Sequence, residues 1–503
     1  MGRLTQESLE FARNHIKRFY DSDFLPKPFE FNAIWSDWAE VVGYLTSTEV
    51  TQLAAPRPIL WTAPKPKGGY RVIHQLDPIS SLIYTALTYR VAPLLELVRA
   101  PAADRIACAY RIRINASEGR FFGTETGYEG FIHKCRELAA EHSSVLVADI
   151  SDFYNQINLH RLQNVIAIAA PDLGEIANDI EDYLIALNAR TSKGIPVGPA
   201  ASIVMAEAVL TDVDQLILSR NMPHTRYVDD FRIFSNSVDL LDDLLQELAK
   251  YLYDAHRLTL SSDKTLIMDS GSFTERYLQS PEVLEIQEAH ERLRSLDTYD
   301  SYEEMVPDGP PDVSVIENLM NLLCSRPVFD LGLARHILRR CGRYRIRAII
   351  PKLFERFSLF APVMPAVALY LEKVTSESFI ERNLEAVAAL DDCSTARIPF
   401  VRLWLDNYVS RYLGYLRDDR IRRLIMSSPS IRAQATGAQM LRDIAWMRRR
   451  KSEVDSLGAF DRRQVMRASA ILPSSERIPW LRSILRNHDS VVDRAVARWL
   501  LSA

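Results

Sequence analysis

Cysteine is scarce in this chain of 503 residues, and the five that occur, Cys108, Cys135, Cys324, Cys341 and Cys393, stand far apart. There is no Cys-x-x-Cys pair and no Cys/His cluster, which argues against a zinc site and for a reducing compartment. The first residues, Met1-Gly2-Arg3-Leu4-Thr5-Gln6-Glu7, lack the apolar core of a signal peptide, and Gln6 stands where myristoylation at Gly2 requires Ser or Thr. Long apolar runs are missing as well. The most apolar stretch, Phe357 to Leu371, carries Pro362 and Pro365 and is expected to fall short of a membrane span. A cytoplasmic protein without a membrane partner is therefore expected. With 47% hydrophobic and 25% charged residues, global disorder is excluded, and the length calls for two or three domains.

A positive net charge is also missing, since the chain totals −4 at pH 7. The sum hides a division. From residue 311 onward there are 32 Lys+Arg against 20 Asp+Glu, a net of +12, which leaves 29 against 45 before it, a net of −16. Such asymmetry means that the second part faces a polyanion, docks on the first part, or does both. Of its cations 29 are Arg and 3 are Lys, which favours phosphate recognition, where the planar guanidinium fork matters.

Three stretches carry chemistry. In His224-Thr225-Arg226-Tyr227-Val228-Asp229-Asp230-Phe231-Arg232-Ile233-Phe234, apolar and aromatic residues flank an acidic pair, which predicts a hairpin with Asp229-Asp230 at its tip. Adjacent carboxylates repel, and burying them needs a counter-charge. A divalent cation is the usual one, and hard oxygen ligands suit Mg²⁺. Taken alone, the pair reads better as a solvated turn. Upstream, however, Ser144-Val145-Leu146-Val147-Ala148-Asp149-Ile150-Ser151-Asp152-Phe153-Tyr154 predicts an apolar strand ending in a further carboxylate, where sites of mixed sheets gather. Between the two, Lys193-Gly194-Ile195-Pro196-Val197-Gly198-Pro199 is a Gly/Pro turn opening a helix from Ile203 to about Leu218.

These blocks, in this order, resemble the palm of reverse transcriptases: the Asp-strand with its aromatic pair, the Gly-Pro loop behind the template–nucleotide pair, and the Tyr-Val-Asp-Asp hairpin. Ile59 to Ile73, two strands around a Lys/Gly turn, followed by Asp77-Pro78-Ile79 and Tyr84-Thr85-Ala86-Leu87, resembles the fingers of the same family. Tyr110-Arg111 and Phe121-Phe122 ahead of the first catalytic strand narrow the resemblance to bacterial abortive-infection and defence-associated polymerases. A structural role for Arg111 between fingers and palm is an equal reading. The Asn-Ala-x-x-His and Val-Thr-Gly pattern of retrons is absent, as is a maturase tail.

The resemblance implies two Mg²⁺ ions, replaceable by Mn²⁺, about 3.5–4 Å apart. Asp149 and Asp229 would bridge them, with the Ile150 carbonyl on the triphosphate side and Asp230 as the weaker ligand. Lys65, Lys67 and Arg71 would meet the triphosphate or template backbone, the alternative being a solvated basic hairpin. Gly194, Pro196 and Gly198 would let backbone approach the incoming base pair. Lys264, in Leu258 to Thr265, would lie near the pyrophosphate or simply at the surface. Tyr154 would stand at the sugar gate and favour deoxynucleotides; its other reading is a core aromatic.

The expected architecture is an α+β fingers–palm followed by an all-α, HEAT-like repeat region. Residues 1–55 form N-terminal helices, 56–296 the fingers and palm, 297–312 an acidic Pro-rich linker, and 313–503 a basic helical repeat domain. Thr5 is not expected to start a capping box, because Ser8 replaces the usual acid or amide three residues on. Arg432-Ala433-Gln434-Ala435, Arg467-Ala468-Ser469-Ala470 and Arg494-Ala495-Val496-Ala497 recur at spacings of 35 and 27, which suits stacked helix pairs. No duplex-gripping thumb is legible between Thr265 and Asp312. Abortive-infection polymerases share this layout, which implies template-independent DNA synthesis from dNTPs, primed by a tyrosine of the protein, and a homo-oligomer. Tyr44 is the priming candidate, and single-stranded DNA product or RNA would lie on the basic region. The competing readings are an RNA-templated reverse transcriptase with a dedicated RNA, and an inert scaffold, whose signature would be a lost catalytic aspartate.

Overall fold

A computed structural model describes residues 2–20, 22, 24–66, 68–123, 127–279, 312–326 and 329–502. Lys67, the expected linker apart from Asp312, and the stretch after residue 279 searched for a thumb lie outside the described residues. The chain packs as two units, one of Met1–Ser22, Leu45–Ile59 and Ile79–Pro307, the other of Asp23–Tyr44, Leu60–Pro78 and Asp308–Ala503. The sequential division expected above is thus replaced by an interleaved one. Part of the N-terminal helices and the hairpin before Asp77 pack with the C-terminal helices.

In the first unit, strands β5 (Ser144–Asp149), β6 (His224–Tyr227), β7 (Asp230–Ser235) and β8 (Leu266–Asp269) form an antiparallel sheet in the order β6-β7-β5-β8. Central β5 is buried from Ser144 to Ala148, so it reads as a continuous apolar run rather than an alternation. Phe131, Cys135 and Leu138 of the helix Tyr128–Glu141 pack with Val145, Val147, Phe234 and Phe273 into one apolar layer on this sheet. A smaller hairpin, β3 (Ile112–Asn115) with β4 (Arg120–Phe122), stands apart from that sheet.

Two local expectations change. Thr5 does cap the helix Gln6–Phe19 reciprocally: its Oγ1 accepts the Ser8 N–H at 3.2 Å, and Ser8 Oγ accepts the Thr5 N–H at 3.2 Å. A serine hydroxyl is an acceptor too, so the acid was not required. The helix expected from Ile203 to Leu218 is instead a pair, Ala200–Val209 and Thr211–Ser219, divided at Leu210. Within the first helix, His15 is buried against Phe11 and Phe121 and donates from Nδ1 to the Gly119 carbonyl at 2.7 Å. Burial pushes its pKa down to about 4, against the pull of that hydrogen bond.

In the second unit, β1 (Ile59–Pro64) and β2 (Tyr70–Gln75) pair around a turn closed by the Lys65 N–H on the Gly69 carbonyl at 3.0 Å. Gly68 and Gly69 turn it at φ +89 and +77, which glycine alone adopts without strain. The helices that follow residue 312 pack in succession, Ile431–Leu441 on Ala459–Ala468 and that on Val491–Ser502. The first and third Arg-Ala segments fall on these helices and the second begins on one and runs into a 3-10 turn; Ala433, Ala435, Ala468, Ala495 and Ala497 are buried, and Ala470 is exposed. Phe357–Val374 is long and apolar enough to cross a membrane by length and composition, contrary to the expectation from its prolines. Here it forms a 3-10 turn and a helix whose apolar side chains, Phe357 to Val374, are largely buried within the unit.

The charge asymmetry is partly answered inside this unit. Arg463, 2% exposed, donates to Asp77 at 2.6 Å and Asp493 at 2.7 Å, and Arg498 pairs with Asp37 and Glu40 at 2.8 Å. Acidic residues of the N-terminal part therefore neutralise part of the arginine excess of the C-terminal part.

Candidate active site

The register of β5 against β7 sets Asp149 directly opposite Asp230, with Cβ atoms of such pairs about 4.5–5.5 Å apart. In the β6–β7 hairpin Tyr227 faces Asp230, so the tip is Val228-Asp229 and not the acidic pair expected there. Val228 adopts φ +59, an outlier for a β-branched residue. This turn brings Asp229 to the end of β5, where its carbonyl accepts the Ile150 N–H at 3.3 Å. Burial first, and the charge of Asp149 second, push the Asp229 carboxyl up to about 6, while Lys264 pulls the other way.

Each of the other two carboxylates has its own cation. Lys264 Nζ donates to Asp149 Oδ2 at 2.8 Å from a turn whose Ser261 N–H holds the Asp149 carbonyl at 2.7 Å. Arg232 donates to both oxygens of Asp230, at 2.5 and 3.0 Å, with its guanidinium among the rings of Tyr277, Phe131 and Phe273. Ile150 pairs with Leu260 through its neighbours, Ser261 to Asp149 and Ser151 to Thr259, which leaves the Ile150 carbonyl outside that pairing.

The Gly/Pro loop packs on the segment after β5. The Gly194 N–H bonds the Ile157 carbonyl at 2.8 Å and the Ile195 N–H bonds the Tyr154 carbonyl at 2.9 Å. Gly194 has φ +89, and a Cβ there would lie 3.0 Å from the Asn155 carbonyl oxygen, so glycine is required. Pro196 is buried, Gly198 half-buried, and the half-buried Tyr154 ring stands edge-on to Phe153 at 5.7 Å. The structure thus joins Asp149, Ile150, Tyr154, Gly194, Pro196, Gly198, Asp229, Asp230 and Lys264 in the first unit. Lys65 and Arg71, both exposed, and the half-buried Tyr44 belong to the second.

Sequence reasoning missed the arginines beneath the hairpin. Arg226, fully buried, donates from Nε and Nη2 to Asp214 at 2.8 and 2.9 Å, and from Nη1 to Glu207 at 2.8 Å and the Val228 carbonyl at 3.0 Å. Glu207 also accepts from Arg99 at 2.8 Å, and Arg99 in turn holds the carbonyls of Ala109 and Tyr110. Burial would lower the Arg226 pKa, but the charges of Asp214 and then Glu207 raise it, so it stays ionised. A signal was present: Arg226 and Arg232 stand on the two strands that flank the acidic turn, and a charge at a buried strand position must find a partner.

Residues 63–283 match the family described as Reverse transcriptase (RNA-dependent DNA polymerase). This segment is a reverse transcriptase domain. The chain is accordingly a nucleotidyltransferase, a DNA-polymerising enzyme. Among solved structures, this chain is similar to telomerase from Candida albicans in complex with a TWJ fragment of telomeric RNA, at 10% identity over 74% of this chain and 70% of that one, with a TM-score of 0.31. It is also similar to Candida tropicalis telomerase with a TWJ fragment (12%, 77% and 70%, 0.34) and to the apo form of that telomerase (11%, 74% and 73%, 0.33). No curated protein matches the chain.

Reverse transcriptase domains use divalent metal ions. Among the described residues no three His, Cys, Asp or Glu side chains converge as a metal cluster, in keeping with the engagement of Asp230 by Arg232. The donor chemistry nonetheless fits. Asp149 and Asp229 are hard oxygen donors close enough for one charge to raise the other's pKa, which a backbone hydrogen bond and the ammonium of Lys264 moderate. Asp149 and Asp229 would hold the ions, which when bound supply charge neutralisation and a more acidic attacking hydroxyl. The domain's own residues hold these carboxylates at the end of β5 and in the turn before β7, and seat the Gly194 loop on the segment that follows β5, an arrangement suited to catalysis by positioning.

Proposed function

We propose that the chain is a DNA polymerase of anti-phage defence, of the abortive-infection kind, extending DNA from dNTPs without a template and from a tyrosine of its own. The observation that carries this reading is an intact Asp149, Asp229 and Asp230 set joined to an arginine-rich, all-helical C-terminal region, the layout that abortive-infection polymerases have. The helices beyond residue 312 would be HEAT-like and would receive single-stranded DNA product or RNA. A phenol oxygen is a competent nucleophile once deprotonated, and Tyr44 is the proposed primer. Lys65, Lys67 and Arg71 would neutralise triphosphate or template backbone, and Lys264 would turn from Asp149 to the leaving pyrophosphate. The enzyme would act in the cytoplasm as a homo-oligomer.

A second reading is an RNA-templated reverse transcriptase with a dedicated RNA, favoured by the excess of 29 Arg over 3 Lys after residue 311. Incubating the pure protein with each labelled dNTP and Mg²⁺, without template or primer, separates the two. Label that migrates with the protein, is released by protease and vanishes in Asp229→Ala supports self-priming. Synthesis lost after RNase pretreatment supports the RNA-templated reading, and no incorporation under any condition refutes both.

A further inference from the structure

We propose that Arg232 is a positioning residue that withholds Asp230 from the divalent cations, so that Asp149 and Asp229 alone carry them; this rests on the three aspartates being the polymerase site. The two charged contacts in the site are unequal. Lys264 is 65% exposed at its side chain, sits on a turn, and meets Asp149 through a single ammonium contact. Such a pair contributes little, and a flexible lysine that lets go is rehydrated at once. Arg232 is 8% exposed and meets Asp230 through a planar fork, with its first nitrogen also on the Phe231 carbonyl at 2.8 Å.

The guanidinium is further committed by its surroundings. Tyr277 lies 5.3 Å from it, Phe131 5.8 Å and Phe273 6.0 Å, three rings drawn from two helical segments that flank the sheet. If Asp230 turned toward a cation, Arg232 would be left among those rings with its charge uncompensated, facing a new positive charge. An arriving cation therefore displaces Lys264 and not Arg232. The consequence is a division of labour that the Asp-Asp pair conceals. Asp229, at the tip, is a cation ligand, whereas Asp230, first residue of β7, is half of an internal ion pair that fixes the strand beside Asp149.

The test is Mn²⁺ binding to the full-length protein without nucleotide, counted from the signal of free Mn²⁺ in electron paramagnetic resonance. Asp149→Asn and Asp229→Asn should each weaken binding about 10–100-fold, Asp230→Asn should change it by no more than about threefold, and Arg232→Gln, by releasing Asp230, should tighten it about tenfold. The double variant Arg232→Gln/Asp230→Asn should return to the wild-type affinity. Loss in Asp230→Asn as large as in Asp229→Asn overturns the role of Arg232 while leaving the aspartate site intact. Unchanged binding in all three asparagine variants overturns the site reading itself. If Arg232→Gln fails to give a cooperative melt, the comparison of Asp230→Asn with Asp229→Asn decides alone.

Discussion

Replacing Arg226 with Met would keep the bulk of the side chain and remove its charge and the donors on its three guanidinium nitrogens from a buried site. Asp214 would lose both arms of its fork, Glu207 would keep Arg99, and the Val228 carbonyl would lose its 3.0 Å donor. Of these, Asp214 dominates. It is 2% exposed and would be left with the His224 imidazole, 3.5 Å away. Breaking one side of a buried pair costs about 3–5 kcal/mol, more than a methionine's apolar burial returns. In a unit of this size each kcal/mol lowers the midpoint by about 2–4 °C, so the transition of the first unit should fall by roughly 10 °C. Calorimetry of the full chain reads this, and a double-mutant cycle with Asp214→Asn should give a coupling of about 1–3 kcal/mol. Catalysis reads the other half. Without the Arg226 bond, nothing from this network holds the left-handed Val228, and a displacement of Asp229 by about 1 Å would cost on the order of 100-fold in dNTP incorporation below the melting transition. A midpoint within about 2 °C of wild type, or strictly additive single and double variants, would refute the reasoning.

His15 supplies a pH test. Its unfolded imidazole protonates near 6.5 while the buried ring stays neutral down to about 4, so the unfolded state binds more protons between these values and stability falls as the pH drops. Relative to His15→Phe, the wild type should lose about 3 kcal/mol between pH 7.5 and pH 4, measured by denaturant unfolding; parallel curves for the two proteins would contradict this. Arg463→Met leaves Asp77 buried without its 2.6 Å partner, whereas Asp493 keeps Arg462 at 2.9 Å. The second unit should lose about 3–5 kcal/mol, read from its calorimetric transition, and a loss below about 1 kcal/mol would show the network to be dispensable. Tyr154 touches the Gly/Pro loop through its backbone, so Tyr154→Ala should spare that loop and raise ribonucleotide use relative to deoxynucleotide about 10-fold or more in single-nucleotide assays.

Much of the site was legible because it rests on short-range pattern. The apolar run before Asp149, a strand on each side of the acidic residues, and a turn at Gly194 each follow from local chemistry. Where reading failed, a longer-range partner had intervened. The hairpin tip moved by one residue because closure depends on which residues β7 sets against β5. The helix after Pro199 divides at Leu210, with Glu207 before the break and Asp214 after it, both turned onto Arg226. The Thr5 cap was missed for a local reason, that a hydroxyl can accept as well as a carboxylate.

By itself, then, the sequence determined that three carboxylates end two strands, that a glycine turn backs them, and that an arginine-rich helical region follows. Those features depend on residue type and spacing over a few positions. Only the tertiary structure decided how the carboxylates differ: Asp229 raised by burial beside Asp149, Asp149 on an exposed lysine, Asp230 in the fork of a buried arginine. It alone also decided that Asp77 and Glu40 answer arginines some hundreds of residues away. The energy of a charge is set by its depth and by its distance to other charges, and neither is defined until the chain has folded.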